Sequence, residues 1–376
     1  MNPPQQAPEH PELHALRLRM EQWARELGFD QLGVTDTDLS EAEGHLANWL
    51  KRGDHASLDY MHRHGHKRTR PAELVPGTLR VVSVRMNYLP PDTQPLRILA
   101  DPSMAYISRY ALGRDYHKTV RKRLATLAER IHTELSGLGY RVFVDSAPVM
   151  EKALAAKAGL GWIGKNTLLL NREAGSWFFL GEIYLDAPLP LDPQPDRTGS
   201  CGRCSACLDV CPTGAFRGPY QLNARRCISY LTIENRGPIP ESLRPLMGNR
   251  VFGCDDCQWV CPWNRFAKHS SEGDFQARHG LDAMELLTLF NWDEATFLER
   301  TAGSPIRRAG YSGFRRNLVV ALGNWLRSAP LEADCERAVV ALSAAAEAAD
   351  TSELLREHLQ WALDQLTPEA RKKWVR

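Results

Sequence analysis

Residues 201 to 216 read CGRCSACLDVCPTGAF. Cys201, Cys204 and Cys207 stand three apart, and Cys211 follows four positions later with Pro212 behind it. This is the C-x2-C-x2-C-x3-C-P run that holds a [4Fe-4S] cube. A short loop can swing three thiolates onto one side of a cube, but the fourth cysteine lies beyond the loop and ligates a neighbouring cluster. A single copy is chemically incomplete, so a second must be sought.

It is VFGCDDCQWVCPWN, at 251 to 264. Cys254, Cys257, Cys261 and Pro262 repeat the end of the pattern, and Val251 stands where its first cysteine belongs. Cys227, in NARRCISYL between the two runs, is the remaining nearby cysteine and replaces it. The crossed assignment gives Cys201, Cys204, Cys207 and Cys261 to one cluster, and Cys211, Cys227, Cys254 and Cys257 to the other. Zinc sites pair C-x2-C knuckles without a third cysteine three further on, and disulfides belong to secretory contexts. Cys335, in an apolar helical stretch, reads as an inert core thiol.

The 376 residues are 43% hydrophobic and 24% charged, with a formal net charge of +2. That is a globular composition, long enough for two or three domains. The start, MNPPQQAPEHPELHALRLRM, has no apolar h-region and no twin arginine, and no run elsewhere is long enough to span a bilayer. The expectation is a cytoplasmic protein without a membrane segment, where reduced thiols and cluster assembly are compatible.

Upstream of the clusters, hydrophobic periodicity predicts helices over 12–28 and 115–137 and strands over 81–88, 140–145 and 177–186. Residues 1–190 thus read as an α/β or α+β domain. The Pro- and Asp-rich APLPLDPQPDRTG (187–199) leads into a ferredoxin-like double-cluster module at 191–275. Residues 276–376 turn helical and alanine-rich, with helices over 314–326, 335–349 and 352–366 that read as pairs of an α-solenoid type. So few units cannot stand alone and should dock on the rest.

In KAGLGWIGKN (157–166), Gly159, Gly161 and Gly164 satisfy G-x-G-x-x-G, and the run to Lys165 nearly makes a P-loop, with Asn166 in place of Ser or Thr. Both motifs need a strand before and a helix after, and here the order is reversed. The glycines instead allow close approach of packed chain or of a different cofactor. In YALGRDYHKTVRKRL (110–124), Arg114, Lys118, Arg121 and Lys122 fall near one helix face, which reads as a solvated face. Asp115 and His117 begin a D-x-H-x-x-G corrinoid pattern, but Val120 occupies its glycine position, so no standard signature for a histidine beneath cobalt is present.

VDSAPVMEK ends a predicted strand with Asp145 and puts Glu151 on the next helix. Asp145 is placed either for acid–base work beside a glycine-rich turn or to cap that helix. Basic clusters occur at RHGHKRTR (63–70) and SPIRRAGYSGFRR (304–316), the latter with Arg307, Arg308, Arg315 and Arg316 around Tyr311. Arginine with interleaved aromatics suits structured RNA, and surface arginine for solubility is the alternative.

Taken together, RYALGRDYHK, VDSAPVMEKALAAKAGLGWIGKN, SCGRCSACLDVCPTGAF, LNARRCISYLTIE, GCDDCQWVCPWN and FRRNLVVALGN resemble the epoxyqueuosine reductase family, in order over nearly the whole chain. The resemblance implies an enzyme of the last step of queuosine synthesis. Its substrate is the epoxycyclopentane side chain of a modified guanine at the wobble position of tRNAs for Tyr, His, Asp and Asn.

It further implies base-off cobalamin in the N-terminal domain without a protein histidine below cobalt. Two [4Fe-4S] clusters relay electrons to it from an external donor, and a HEAT-like C-terminal domain helps hold the tRNA. Carried onto this chain by motif, Asp145 takes the place of the proton donor and His117 lies beside corrinoid and substrate. Gly161, Gly164, Lys165 and Asn166 lie against the cofactor, and Arg307, Arg308, Arg315 and Arg316 meet the tRNA backbone. A monomer is expected.

Two competing readings stand beside this one. A cobalamin-dependent small-molecule reductase of the reductive dehalogenase type is usually exported by a twin-arginine signal, which this sequence lacks. A simple electron-transfer ferredoxin needs neither the large N-terminal domain nor the C-terminal helices.

Overall fold

The computed structural model describes residues 11–91, 93–192, 200–368 and 370–371. Four strands, Gln31–Thr35 (β1), Arg80–Asn87 (β2), Tyr140–Phe143 (β3) and Phe178–Leu185 (β4), form one sheet in the order β1-β2-β4-β3. Every neighbouring pair is antiparallel, which places the domain in the α+β class. β4, FFLGEIYL, is buried along its whole length, as an inner strand covered on both faces requires.

One face is covered by Pro11–Glu26 (α1) and Tyr116–Glu134 (α2), whose Leu16, Met20, Val120 and Leu124 share a core with Val82, Val84 and Ile183. The opposite face takes Glu151–Lys157 (α3), with Leu154 against Val81, Phe143 and Tyr184. β3 and β4 thus form inside their expected ranges, and β2 begins one residue before its own. Residues 1–10, and 193–199 of the Pro- and Asp-rich linker, lie outside the described residues.

The cluster module is joined to the N-terminal part by a parallel pairing of Tyr106–Ile107 with Arg250–Phe252. The short helix Ile228–Ile233 (α4) then packs beneath Gly310–Arg327 (α5), which is followed by Glu332–Glu347 (α6) and Glu353–Leu363 (α7). One continuous core joins Ile107 and Leu112, Ile228 and Leu231, Val251 and Phe252, and the C-terminal Leu318, Leu342 and Leu359. The last helices are therefore docked, as their small number of turns demands. No helix among the described residues is long and apolar enough to cross a membrane.

Candidate functional site

Asp115 caps α2, its Oδ1 accepting the backbone N–H of His117 at 3.1 Å. The same oxygen lies 2.7 Å from His117 Nδ1, so the cap also orients the ring. Nε2 then faces Asp145 Oδ2 at 3.1 Å, and the Tyr116 hydroxyl donates to that same oxygen. The Tyr116 ring is sandwiched between His117 and Phe179 of β4, at centroid distances of 4.2 and 3.8 Å.

Asp145 sits just beyond β3 with φ +49°, a left-handed conformation uncommon outside glycine but tolerated by aspartate. Its backbone N–H is accepted by Glu151 Oε2 at 3.1 Å. The helix-cap alternative for Asp145 does not hold: Met150 stands at the N-cap of α3, with no side-chain cap bond. The Asp145 carboxylate is directed to Tyr116 and His117 instead.

Desolvation would lower the His117 pKa, but the hydrogen bonds to Asp115 and Asp145 overcome it and raise it to about 9. Desolvation would likewise raise Asp145, but its bonds from His117 and Tyr116 hold it below the ordinary carboxylate value. Glu151 goes the other way, pushed up to about 8 by desolvation and then by the charge of Asp145. At neutral pH the site holds a charged imidazole, an ionised Asp145 and a protonated Glu151. Behind them Glu182 of β4 is fully buried, and desolvation raises its pKa well above the ordinary carboxylate value.

Asp115, Tyr116, His117 and Asp145 form one wall of a cavity of about 630 Å³, also lined by Tyr60, His64, Arg68, Arg307 and Arg308. Arg307 and Arg308 are exposed at its rim. Arg308 donates to both oxygens of Glu234, at 3.0 and 2.9 Å.

Arg315 and Arg316 do not join them. Arg316 is 1% exposed and donates to the carbonyls of Leu231, Asn235 and Gly237 at 2.7, 2.8 and 2.7 Å. Its guanidinium is consumed in holding α4 to α5, and an RNA backbone cannot reach it. Arg315 is half-buried over the rings of Phe290 and Tyr311, at 4.6 and 5.7 Å. The helical turn separates the arginine pairs: 307 and 308 precede α5, whereas 315 and 316 are carried into its packed sides.

The glycine run forms a hairpin, Trp162–Ile163 against Leu169–Leu170. At Gly161 a Cβ would collide with the Leu170 carbonyl, and at Gly164 with the Leu170 and Asn166 side chains, so the close partner is packed chain. Lys165 Nζ donates to the carbonyls of Gly202 and Cys204 at 2.7 and 2.8 Å, and Asn166 Nδ2 to that of Cys257 at 3.0 Å. Both are spent on the cysteine loops, and none of Gly161, Gly164, Lys165 and Asn166 lines the Asp145 cavity.

Cys201, Cys204, Cys207 and Cys261 surround a cavity of about 220 Å³, with Asn166, Trp263 and Arg265 beside them. They enclose a volume and do not meet at a point; among the described residues no group of three or more His, Cys, Asp or Glu side chains is set to hold a single metal ion. Each run carries one turn of helix, Ala206–Asp209 and Asp256–Trp259. Cys227 stands at the head of α4 within electrostatic reach of Cys211, and Cys257 within reach of both. Ser229 Oγ donates to the Cys254 carbonyl at 3.4 Å, tying the second run to the same helix. All nine cysteines are free, and burial pushes the Cys254 and Cys257 thiols well up, so thiolates there need a positive partner such as cluster iron.

Sequence reading missed Tyr116 and Asp255. Asp255, buried between Cys254 and Cys257, accepts from the Tyr106 hydroxyl at 2.8 Å, the Arg109 amide at 2.9 Å and the Ser108 hydroxyl, anchoring the second run. The signal for Tyr116 was its place between a capping Asp and a His.

Residues 68–146, which contain His117 and Asp145, match the family described as epoxyqueuosine reductase QueG, DUF1730. Residues 200–264 match the 4Fe-4S double cluster binding domain. The epoxyqueuosine reductase of Pseudomonas aeruginosa is 61% identical over 353 residues, covering 94% of this chain and 95% of the relative. A crystal structure of epoxyqueuosine reductase with a tRNA-Tyr epoxyqueuosine-modified stem loop matches with a TM-score of 0.85 at 26% identity, over 96% of this chain and 92% of that one. The Bacillus subtilis enzyme, solved with its aspartate-bearing catalytic loop swung out of the active site, matches with a TM-score of 0.85 at 25% identity, over 96% and 93%. With that identity sustained from end to end, and a double [4Fe-4S] domain where the cysteines require one, the chain belongs to the epoxyqueuosine reductase family.

Proposed function

We propose that this chain reduces epoxyqueuosine to queuosine at the wobble position of tRNA, in the cavity walled by Tyr116, His117 and Asp145. The observation that carries the reading is the convergence of Tyr116 and His117 on one oxygen of Asp145, in a cavity whose rim holds Arg307 and Arg308. Opening the epoxide to an alkene breaks two carbon–oxygen bonds and forms a carbon–carbon π bond. It consumes two electrons and two protons, and the oxygen leaves as water.

The cavity residues fit a base-off corrinoid. Both ring nitrogens of His117 face carboxylates, so the imidazole is not free to ligate cobalt. Arg68 Nε, on a residue of the cavity wall, is a buried donor without a partner among the described residues, suited to an amide oxygen. Tyr60, His64, Arg68 and Ser146 would hold the cofactor's polar edge. Cys201, Cys204, Cys207 and Cys261 would hold one [4Fe-4S] cluster, and Cys211, Cys227, Cys254 and Cys257 the other. Bound cobalamin supplies an electron pair, fed singly through the two clusters from an external donor.

The chain's own part is proton supply and positioning. At neutral pH the mobile proton rests on His117, 3.1 Å from Asp145 Oδ2. Its passage to Asp145 makes that residue the acid that protonates the departing oxygen. Glu151 holds the Asp145 main chain, and Tyr116 fixes its carboxylate. Arg307 and Arg308 meet the tRNA backbone, with Arg308 exchanging Glu234 for phosphate.

In this reading residues 1–190 form the catalytic unit, 191–275 the electron relay and 276–376 a HEAT-like element that grips tRNA for Tyr, His, Asp and Asn. The protein acts in the cytoplasm as a monomer.

The test is anaerobic incubation of the reconstituted protein with cobalamin, reductant and epoxyqueuosine-containing tRNA, followed by mass spectrometry of the nucleosides. Loss of one oxygen that requires both cobalamin and reductant is expected. No conversion by protein carrying both clusters and corrinoid would overturn the reading in favour of a small-molecule reductase.

A further inference from the structure

The two cysteine sets differ in their surroundings. Cys204, in the first set, is the one exposed cysteine. In the second set Cys227 heads α4, and at the far end of that helix Ile233 and the following Glu234 line the Asp145 cavity. The chain therefore has an inner set directed to the active site and an outer set at the surface.

Around the outer set, apolar side chains are left in water: Val210 is 38%, Tyr220 53% and Phe266 40% exposed. Arg265 lines the outer cavity and lies over the Phe266 ring at 4.5 Å. Lys165, bonded to the Gly202 and Cys204 carbonyls, accepts the Tyr220 amide on its own carbonyl at 2.9 Å, which fixes Tyr220 beside the cysteine loop. The exposed charges next to the outer set are mainly basic: Arg203 stands within its cysteine loop and Arg265 and Lys268 follow Cys261, while Arg217 is paired with Asp54 at 2.8 Å. Asp209, also exposed, accepts from Ser205 Oγ at 2.6 Å.

We propose that this face, centred on Arg203, Val210, Tyr220, Arg265 and Phe266, docks a small acidic one-electron carrier protein that reduces the outer cluster. The inference rests on the cluster reading given above. Exposed apolar side chains ringed by cations suit a transient electron-transfer contact of small area, in which electrostatics sets the encounter rate. Each encounter oxidises the carrier by one electron and reduces the cluster by one. No bond is made or broken at the face, and two encounters supply the pair the epoxide needs.

The probe is an acidic flavodoxin, tested against the cluster-loaded protein and its Lys268→Glu variant. Calorimetry at low salt should show flavodoxin affinity falling about tenfold or more, with a shallower salt dependence. Stopped-flow bleaching of the clusters by reduced flavodoxin should slow in parallel. Bleaching by dithionite, which needs no docking, and tRNA affinity should stay unchanged. Phe266→Ser, outside both cysteine runs, is a second variant expected to weaken the same contact.

Unchanged flavodoxin affinity in both variants would overturn the proposal. So would a loss of tRNA affinity in its place, which would make the face part of the RNA site. Failure of the cluster reading is seen separately, as iron content short of two cubes in the unsubstituted protein.

Discussion

Glu151 Oε2 accepts the backbone N–H of Asp145 at 3.1 Å, so the first turn of α3 holds the main chain of Asp145 while α2 holds its carboxylate. A left-handed φ of +49° costs a non-glycine residue about 1 kcal/mol or more, and this bond offsets part of that cost.

Glu151→Gln keeps an acceptor oxygen and should leave kcat within about threefold, whereas Glu151→Ala releases the loop and should lower kcat by about 10- to 100-fold at similar KM for tRNA. Equal losses in both variants would show instead that the Glu151 proton, and not its hydrogen bond, is what matters.

The pH response follows from the raised pKa values. His117, raised from 6.5 to about 9, contributes stability that is complete below its unfolded value and is lost as pH rises through about 9. Glu151, raised from 4.5 to about 8, acts in the same sense over a lower window, complete below 4.5 and lost as pH rises through about 8. Melting temperatures of the protein and of His117→Asn, compared from about pH 6 to 10, should therefore converge on the alkaline side. Asp145→Asn should keep tRNA affinity and lose about 10²- to 10⁴-fold in kcat; near-normal turnover would remove Asp145 from the mechanism.

Cys227→Ser tests the crossed wiring. One cluster should be lost or converted while the other still takes up an electron, so one EPR signal persists and iron falls, toward about half where the cluster is lost outright. Full iron with an unaltered spectrum would refute the assignment of Cys227.

The arginines should separate into two classes. Arg316→Ala leaves the carbonyls of Leu231, Asn235 and Gly237 without their donor and should cost about 3 kcal/mol, seen as a lower Tm. Arg307→Ala should leave Tm unchanged, weaken tRNA binding and reduce its salt slope by about one. Unaltered tRNA affinity in Arg307→Ala would take the cavity rim out of the RNA site.

Features whose information is local were legible in the sequence. The 4Fe-4S double cluster domain is written in cysteine spacing, because a loop of a few residues must wrap a cube of fixed size. The strands at 80–87, 140–143 and 178–185 follow from their apolar runs and flanking turns, and α2 from helical periodicity behind a capping Asp115. Which of these pieces meet is set by packing between distant parts of the chain. His117 and Asp145 are separated by 28 positions and become partners because α2 and β3 pack on the same strand, β4. Two Arg-Arg pairs of the same composition cannot tell Arg308 from Arg316, since one precedes a helix and the other faces the side of it that a core must cover. Lys165 and Asn166 were legible as polar residues beside glycines, but their partners, the carbonyls of Gly202, Cys204 and Cys257, lie 37 to 91 positions away. Spacing within a turn or loop is set by covalent geometry; contact across the chain is set by which surfaces the fold removes from water.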